Sequence, residues 1–129
     1  MAGKILLDTS VVVDLFSKVP SVERLLKSAE AVYLPSIVLG ELLYGAESSR
    51  RIAEGLAQVE AFAESTIPLA CDHETARFYG KIKNGLRAKG RPIPENDIWI
   101  AALARQHGIT LATRDAHFRE IDGLPLLSW

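Results

Sequence analysis

The sequence lacks the features that mark several classes of protein. It has 129 residues and a single cysteine, Cys71, which excludes an internal disulfide and fits a reducing compartment. Its longest uncharged stretch, residues 31–40, contains a proline and is too short to span a bilayer. The first apolar run is short and is interrupted by Asp8, so it does not have the pattern of a signal peptide. We therefore predict a cytoplasmic protein without a membrane segment.

An excess of charge of either sign is also missing. Lys and Arg number 15 and Asp and Glu number 16, so the net charge is −1. A surface for nucleic acid must therefore be a local cluster of basic residues. The three histidines do not have the spacing of zinc ligands. The length fits one domain, residues 1–129, and 48% hydrophobic residues are enough to form a core.

Short apolar runs alternate with segments of helical periodicity along the chain. The predicted strands are residues 4–8, 31–34, 66–69, 109–113 and 124–127. The predicted helices are residues 11–16, a segment opening at Pro20, and residues 36–44, 47–64, 72–89 and about 97–107. This alternation is typical of an α/β fold with a mainly parallel sheet flanked by helices. Pro68 favours an edge position for its strand, because proline has no N–H to donate.

The segment that follows Pro35 is apolar on nearly every side of the predicted helix. Such a helix is expected to be buried. Glu41 lies in the middle of this segment, so its carboxylate has no obvious solvated face. We therefore expect Glu41 to have a partner or to lie in a cleft, since burying an unpaired charge costs several kcal/mol.

Four acidic residues lie where the sites of parallel α/β folds form, outside the carboxyl ends of the strands. Asp8 and Asp115 follow predicted strands, and Glu41 and Asp97 lie near the starts of predicted helices. Taken singly, Asp8 could cap a helix, Asp97 could be a first-turn acid that the helix dipole stabilises, and Asp115 could be a turn residue. Taken together, they predict a carboxylate cluster around Mg²⁺ or Mn²⁺, because gathered carboxylates repel one another without a cation.

Four short motifs occur in an order and spacing that resemble a known family. They are LLDTS at residues 6–10, SIVLGEL at 36–42, NDIWIAA at 96–102 and TRDAHF at 113–118. The chain resembles a PIN-domain ribonuclease, and specifically a VapC-type toxin of a bacterial or archaeal toxin–antitoxin pair. The resemblance covers essentially the whole chain and implies a five-stranded parallel sheet flanked by helices.

The resemblance also implies a set of site residues. Asp8, Glu41 and Asp97 would coordinate Mg²⁺ or Mn²⁺ directly or through water, and Asp115 matches a fourth position that holds an acid or an amide. The hydroxyl groups that match supporting positions are those of Thr9, Ser10 and Thr113.

The implied activity is metal-dependent hydrolysis of RNA phosphodiesters in a tRNA, an rRNA or an mRNA. The implied partners are a cognate antitoxin that covers the active cleft and a second copy of the chain in a homodimer. The apolar helix after Pro35 could offer an interface, but it could equally be core.

Binding of RNA requires cations that neutralise its phosphates. The predicted helix 72–89 carries several of them, and another precedes Asp115. The candidate RNA-binding residues are Arg77, Lys81, Lys83, Arg87, Lys89 and Arg114. His117 is also expected near the substrate. The alternative is that these side chains form an ordinary solvated helix face.

Two other functions are compatible with parts of the pattern. A phosphoryl-transfer enzyme could use the acid after the first strand as a nucleophile, but such enzymes commonly have a second acid two residues later, and that residue is Ser10. A non-catalytic module could hold RNA or a protein with the same fold. Cleavage of RNA in the presence of Mn²⁺ distinguishes the nuclease from that module.

Overall fold

A five-stranded parallel sheet forms the centre of the protein. The computed structural model describes residues 3–129, so Met1 and Ala2 of the predicted domain lie outside the described residues. The strands are β1 (Lys4–Leu7), β2 (Ala31–Pro35), β3 (Ile67–Leu69), β4 (Thr110–Ala112) and β5 (Leu126–Leu127). Their order is β3-β2-β1-β4-β5, and each neighbouring pair is parallel. The predicted α/β fold is confirmed.

Within the described residues, six α-helices and one short 3₁₀ helix connect these strands. The α-helices are α1 (Thr9–Phe16), α2 (Pro20–Ser28), α3 (Ser36–Glu47), α4 (Ile52–Glu64), α5 (His73–Lys89) and α6 (Glu95–His107). The 3₁₀ helix spans Ala116–Glu120. Across residues 3–129, no helix combines the length and the apolar character that a membrane span requires.

The centre of the sheet is apolar because helices cover it on both sides. Ile5, Leu6 and Leu7 of β1 are fully buried, as expected for a strand in the middle of a parallel sheet. Pro68 lies in β3, which is an edge strand, so the missing N–H of this proline leaves no gap in the interior of the sheet. The edge position predicted for this strand is confirmed.

The predicted helix over residues 47–64 does not begin where its periodicity indicates. Glu47 is the last residue of α3, and α4 begins at Ile52. Between the two helices, the Ser48 hydroxyl donates to the Tyr44 carbonyl (3.0 Å) and the Ser49 hydroxyl donates to the Ala46 carbonyl (2.7 Å). These bonds satisfy carbonyls at the end of α3, which is how serine ends a helix despite a continuous helical pattern.

Helix α3 is not buried on all sides, so that prediction is wrong. Val38, Leu42 and Ala46 are its buried residues, and their spacing of four places them on one face. Tyr44 is 75% exposed. The helix packs against α4, α6, α1 and strand β2, and the side that carries Tyr44 is not covered by the described chain.

Candidate active site

The carboxylate of Asp8 lies at the carboxyl end of the central strand. The Asp8 N–H donates to the Ala112 carbonyl (3.1 Å), which extends the pairing of β1 with β4 by one residue. The side chain is 5% exposed, and it makes no capping hydrogen bond to α1. Its Oδ2 instead accepts hydrogen bonds from the hydroxyls of Thr113 (2.7 Å) and Ser10 (3.0 Å). Both hydroxyls belong to the three residues that the sequence predicted to support the acids.

Thr113 connects Asp8 with Asp115. Because Leu7 pairs with Ala112 in the sheet, the next residues, Asp8 and Thr113, face one another beyond the strand ends. The Thr113 hydroxyl donates to Asp8 and accepts from the Asp115 N–H (2.9 Å). One hydroxyl group thus joins the two acids that follow β1 and β4.

Asp97, Asp115 and His117 form a compact group of donor atoms. His117 Nδ1 lies 3.2 Å from Asp97 Oδ2 and 3.0 Å from Asp115 Oδ1. One ligand atom from each of the three residues lies within 4.8 Å of the others. Sequence reasoning placed His117 only near the substrate, whereas the structure places its ring between two of the acids. The signal was its position two residues after Asp115, within the same motif.

The pKa of Asp97 is raised by its burial and by two nearby acids. Burial raises the pKa of Asp97 to about 6, and the negative charges of Asp8 and Asp115 act in the same direction. The hydrogen bond with His117 opposes this shift. Residues that are far apart in the sequence therefore influence one another electrostatically across this edge of the sheet.

Glu41 lies at the margin of this cluster. Its Oε1 accepts a hydrogen bond from the hydroxyl of Thr9 (2.9 Å), and Thr9 directly follows Asp8. Among residues 3–129, the compact donor group includes neither Glu41 nor Asp8. The structure thus groups Asp97 and Asp115 around His117, links Asp8 to Asp115 through Thr113, and links Glu41 to Thr9, the residue after Asp8.

The donor set fits a hard divalent cation. Mg²⁺ and Mn²⁺ prefer carboxylate oxygens, and Asp8, Asp97, Asp115 and Glu41 supply them. In the described part of the chain, no Lys or Arg forms an ion pair with any of these acids. Within residues 3–129, Asp8 has only neutral hydroxyls as its side-chain partners, so this part of the chain supplies no counter-ion for its charge.

The predicted basic residues differ in whether they have acidic partners. Four of the six make ion pairs: Arg77 with Glu74, Lys83 with Glu95, Lys89 with Asp122 and Arg114 with Asp14. Within residues 3–129, Lys81 and Arg87 have no such partner. Arg87 and Lys83 line a cavity of about 570 Å³, whereas Lys81 and Lys89 line another on a different side of α5.

The cavity beside Arg87 adjoins another cavity. Gly90, Pro92 and Ile93 line both, and the second cavity also contains His117. The surface beside Arg87 thus shares three lining residues with the surface around His117. Lys81 does not line either of these cavities.

Sequence reasoning missed one pair of residues at this end of the sheet. Asp14 of α1 is 6% exposed, and it binds both Arg114 and Trp129. Its position in a short apolar helix was a signal of the same kind that identified Glu41. Trp129 had no assignment from the sequence.

Comparisons with known proteins agree with this geometry. The family model for the PIN domain matches residues 5–124. The chain is 33% identical over 129 residues to ribonuclease VapC2 of Haemophilus influenzae and covers 98% of each chain. It is 31% identical over 129 residues to the tRNA(fMet)-specific endonuclease VapC of Shigella flexneri, again with 98% of each chain covered.

Solved structures show the same fold in toxin–antitoxin complexes. DNA-bound VapBC from Salmonella typhimurium matches with a TM-score of 0.90 and 32% identity, over 100% of this chain and 99% of that one. VapBC2 from Rickettsia felis, bound to a DNA fragment from its promoter, matches with a TM-score of 0.90 and 27% identity over 98% of both chains. From the matched residues and the acid-bearing edge of the sheet, we conclude that the chain belongs to the PIN domain family and, within it, to the VapC ribonucleases.

Proposed function

We propose that this ribonuclease is the toxin of a toxin–antitoxin pair and cleaves RNA by metal-dependent hydrolysis. The observation that carries the proposal is the cluster of Asp8, Asp97 and Asp115, which is linked by Thr113 and His117 and has no Lys or Arg as counter-ion in residues 3–129. A carboxylate cluster without a cation is electrostatically unfavourable, so the arrangement supports the binding of one.

The residues proposed to hold Mg²⁺ or Mn²⁺ are Asp8, Asp97 and Asp115, with Glu41 beside them. When bound, the ion supplies Lewis-acid activation of water and neutralises charge that develops on the phosphoryl group. Imidazole suits other metals better than Mg²⁺ or Mn²⁺. We therefore assign His117 the role of orienting Asp97 and Asp115 through its Nδ1 atom.

Two hydroxyl groups orient Asp8. Thr113 and Ser10 both donate to Oδ2, and Oδ1 accepts no hydrogen bond within the described chain. Oδ1 is therefore available to a cation, while Oδ2 is held in place. Thr9 orients Glu41 in the same manner. Each of the three predicted supporting hydroxyls therefore donates a hydrogen bond to one of the proposed ligands.

The RNA is proposed to pass from the acids across the cavity beside Arg87. Arg87 has no carboxylate partner within residues 3–129 and lines the cavity that shares Gly90, Pro92 and Ile93 with the surface around His117. Its charge is thus free to pair with phosphate. Because relatives are named as tRNA(fMet)-specific endonucleases, tRNA is the first substrate class to test, before rRNA and mRNA.

The partners are proposed from the same neighbours. Several of the matched structures are complexes of a VapC chain with its antitoxin, so we infer that a cognate antitoxin covers the active cleft of this chain. The open side of α3, where Tyr44 is 75% exposed, is available for a protein contact. Homodimerisation stays a prediction, which light scattering at micromolar concentration tests, and so does a cytoplasmic location.

The decisive experiment maps the products of cleavage. Purified protein is incubated with total RNA in Mn²⁺, in Mg²⁺ and in EDTA, and the new RNA ends are sequenced. Attack by water yields a 5′-phosphate and a 3′-hydroxyl, and we expect these ends only when a metal is present. Asp8→Asn should be inactive, whereas Asp122→Asn, at an exposed acid away from the cluster, should cleave normally.

Two results would contradict the proposal. Products that end in a 2′,3′-cyclic phosphate would mean that the ribose hydroxyl is the nucleophile. Binding of RNA without any cleavage in Mn²⁺ would instead identify a non-catalytic module.

A further inference from the structure

Asp14 is a buried carboxylate outside the group of acids assigned to the metal. It lies in α1 and is 6% exposed. Its Oδ1 is 2.8 Å from the Arg114 guanidinium, and its Oδ2 accepts a hydrogen bond of 3.0 Å from the indole N–H of Trp129. Both partners come from the far end of the chain. Desolvating a carboxylate is costly unless it is paired in this way, so these two contacts compensate for the burial of Asp14.

Arg114 is held at two points by one face of α1. Ser10 and Asp14 are four residues apart and therefore lie on the same side of the helix. The Arg114 backbone N–H donates to the Ser10 hydroxyl (3.4 Å), and its guanidinium pairs with Asp14. Ser10 in turn donates to Asp8. The residue between Thr113 and Asp115 is thus docked on α1 at both its backbone and its side chain.

The opposite side of this segment is held by the end of the chain. The Thr113 N–H donates to the Leu127 carbonyl (3.0 Å), next to the pairing of β4 with β5. Trp129 follows two residues later and closes on Asp14. The segment 113–115 is therefore clamped between α1 and the last strand.

We propose that Asp14 is a positioning residue for the metal site. By holding Arg114 against α1, with Trp129 completing its surroundings, Asp14 sets the position of the segment 113–115. This segment carries the Thr113 hydroxyl that joins Asp8 and Asp115, so its position determines how far apart those carboxylates lie. The inference rests on the proposed function, in which these acids bind the ion.

The pairing gives Arg114 a different role from that predicted by the sequence. Its guanidinium is partly exposed, but its charge is already balanced by Asp14. A phosphate would have to compete with a buried carboxylate for it. Arg114 therefore acts as an anchor of the segment, and the acids respond to it through the backbone.

The test measures binding of Mn²⁺ alone to the full chain by isothermal titration calorimetry. We expect Asp14→Asn and Arg114→Gln each to weaken Mn²⁺ binding about tenfold, the scale found for outer partners of metal ligands. The double variant should be no weaker than either single variant, because both changes break one interaction. Arg114→Lys, which keeps a cation opposite Asp14, should recover most of the affinity.

Two further variants complete the experiment. Trp129→Phe removes only the indole donor and should weaken Mn²⁺ binding less than Asp14→Asn does. Asp122→Asn makes the same chemical change in an exposed ion pair with Lys89 and should leave the affinity unchanged. At saturating Mn²⁺, the Asp14→Asn variant should have a near-normal kcat and an unchanged KM for RNA.

Three results would overturn the inference. Asp14→Asn with wild-type Mn²⁺ affinity and only a lower melting temperature would show a purely structural role. A raised KM in Arg114→Gln at saturating Mn²⁺ would make Arg114 a contact to RNA. Recovery of affinity when Arg114→Gln is added to Asp14→Asn would mean that the arginine competes with the ion.

The wild-type titration separates this inference from the proposed function. Failure of the wild-type chain to bind Mn²⁺ would refute the metal site itself, and the role of Asp14 would fall with it. Normal Mn²⁺ binding and RNA cleavage by both the wild type and Asp14→Asn would refute only the positioning role.

Discussion

The acid cluster (Asp8, Asp97 and Asp115) and helix α5 both concentrate charge, but the charged groups in the two regions have different partners. Asp8 is buried, and its side chain receives only neutral hydroxyl donors from residues 3–129, so its charge is available to a bound cation. On α5, most of the cations already have acidic partners at the surface, as in the pair of Lys89 with Asp122. The contrast indicates that a charged side chain is available for function when it lacks a partner of opposite charge, however many charges lie near it.

The largest effect is expected from removing a charge within the acid cluster. Asp97→Asn should lower RNA cleavage by more than about 100-fold, beyond the range for residues that only support metal ligands. In EDTA its melting temperature should equal or exceed that of the wild type, since the change removes a buried charge that is repelled by Asp8 and Asp115. Cleavage assays and thermal melts check the two expectations.

A marked loss of stability in Asp97→Asn would contradict this contrast. It would mean that the charge of Asp97 stabilises the fold, so the acids would not need a cation to relieve their repulsion. Full activity would remove Asp97 from the site.

A smaller effect is expected from removing the neutral hydroxyl that joins two acids. Thr113→Val keeps the shape of the side chain but loses the donor to Asp8 and the acceptor for the Asp115 N–H. We expect Mn²⁺ binding to weaken about tenfold. Isothermal titration calorimetry measures this change in Mn²⁺ affinity directly.

Thr66→Val is the matched control, because the Thr66 hydroxyl donates to the Ala63 carbonyl at the end of α4. It should bind Mn²⁺ normally. Equal effects of the two Thr→Val changes would show that the hydroxyl of Thr113 has no special relation to the acids.

The smallest effect is expected on α5, where two cations without acidic partners in residues 3–129 lie on different sides of the helix. Arg87→Glu should weaken RNA binding several-fold and reduce the salt slope by about one, the value for one phosphate contact. Lys81→Glu makes the same kind of charge reversal on the same helix and should weaken binding less. Binding to a catalytically inactive variant at several salt concentrations gives both quantities.

Equal losses in Arg87→Glu and Lys81→Glu would indicate that only the total charge of α5 matters. The proposed path of RNA past the cavity beside Arg87 would then be wrong.

Local patterns predicted most of the elements and both ends of α5. The Asp72 carboxylate accepts from the Thr75 N–H (3.0 Å) at its start, and Gly90 ends it with a φ of +67°, a conformation that glycine adopts without strain. The apolar run of β1 likewise predicted a strand. These features depend on residues that are close together in the sequence, so a local pattern is enough to predict them.

Other features depend on which segments meet, and there the sequence was a poorer guide. The periodicity after residue 47 continued through a helix end that Ser48 and Ser49 create by bonding back to α3. The apolar composition of α3 did not reveal that one side would stay open. The pairing of Arg114 with Asp14 joins residues that are distant in the chain, and no local pattern distinguishes it from a free basic side chain.

The sequence by itself determined which acids would stand at strand ends, because a parallel strand followed by a polar residue places that residue at one edge of the sheet. Only the tertiary structure decided that His117 would lie between Asp97 and Asp115, that Glu41 would stay at the margin, and which cations would be neutralised. The physical reason is that electrostatic pairing acts over a few ångströms in space, and those distances exist only once β1 and β4 lie side by side.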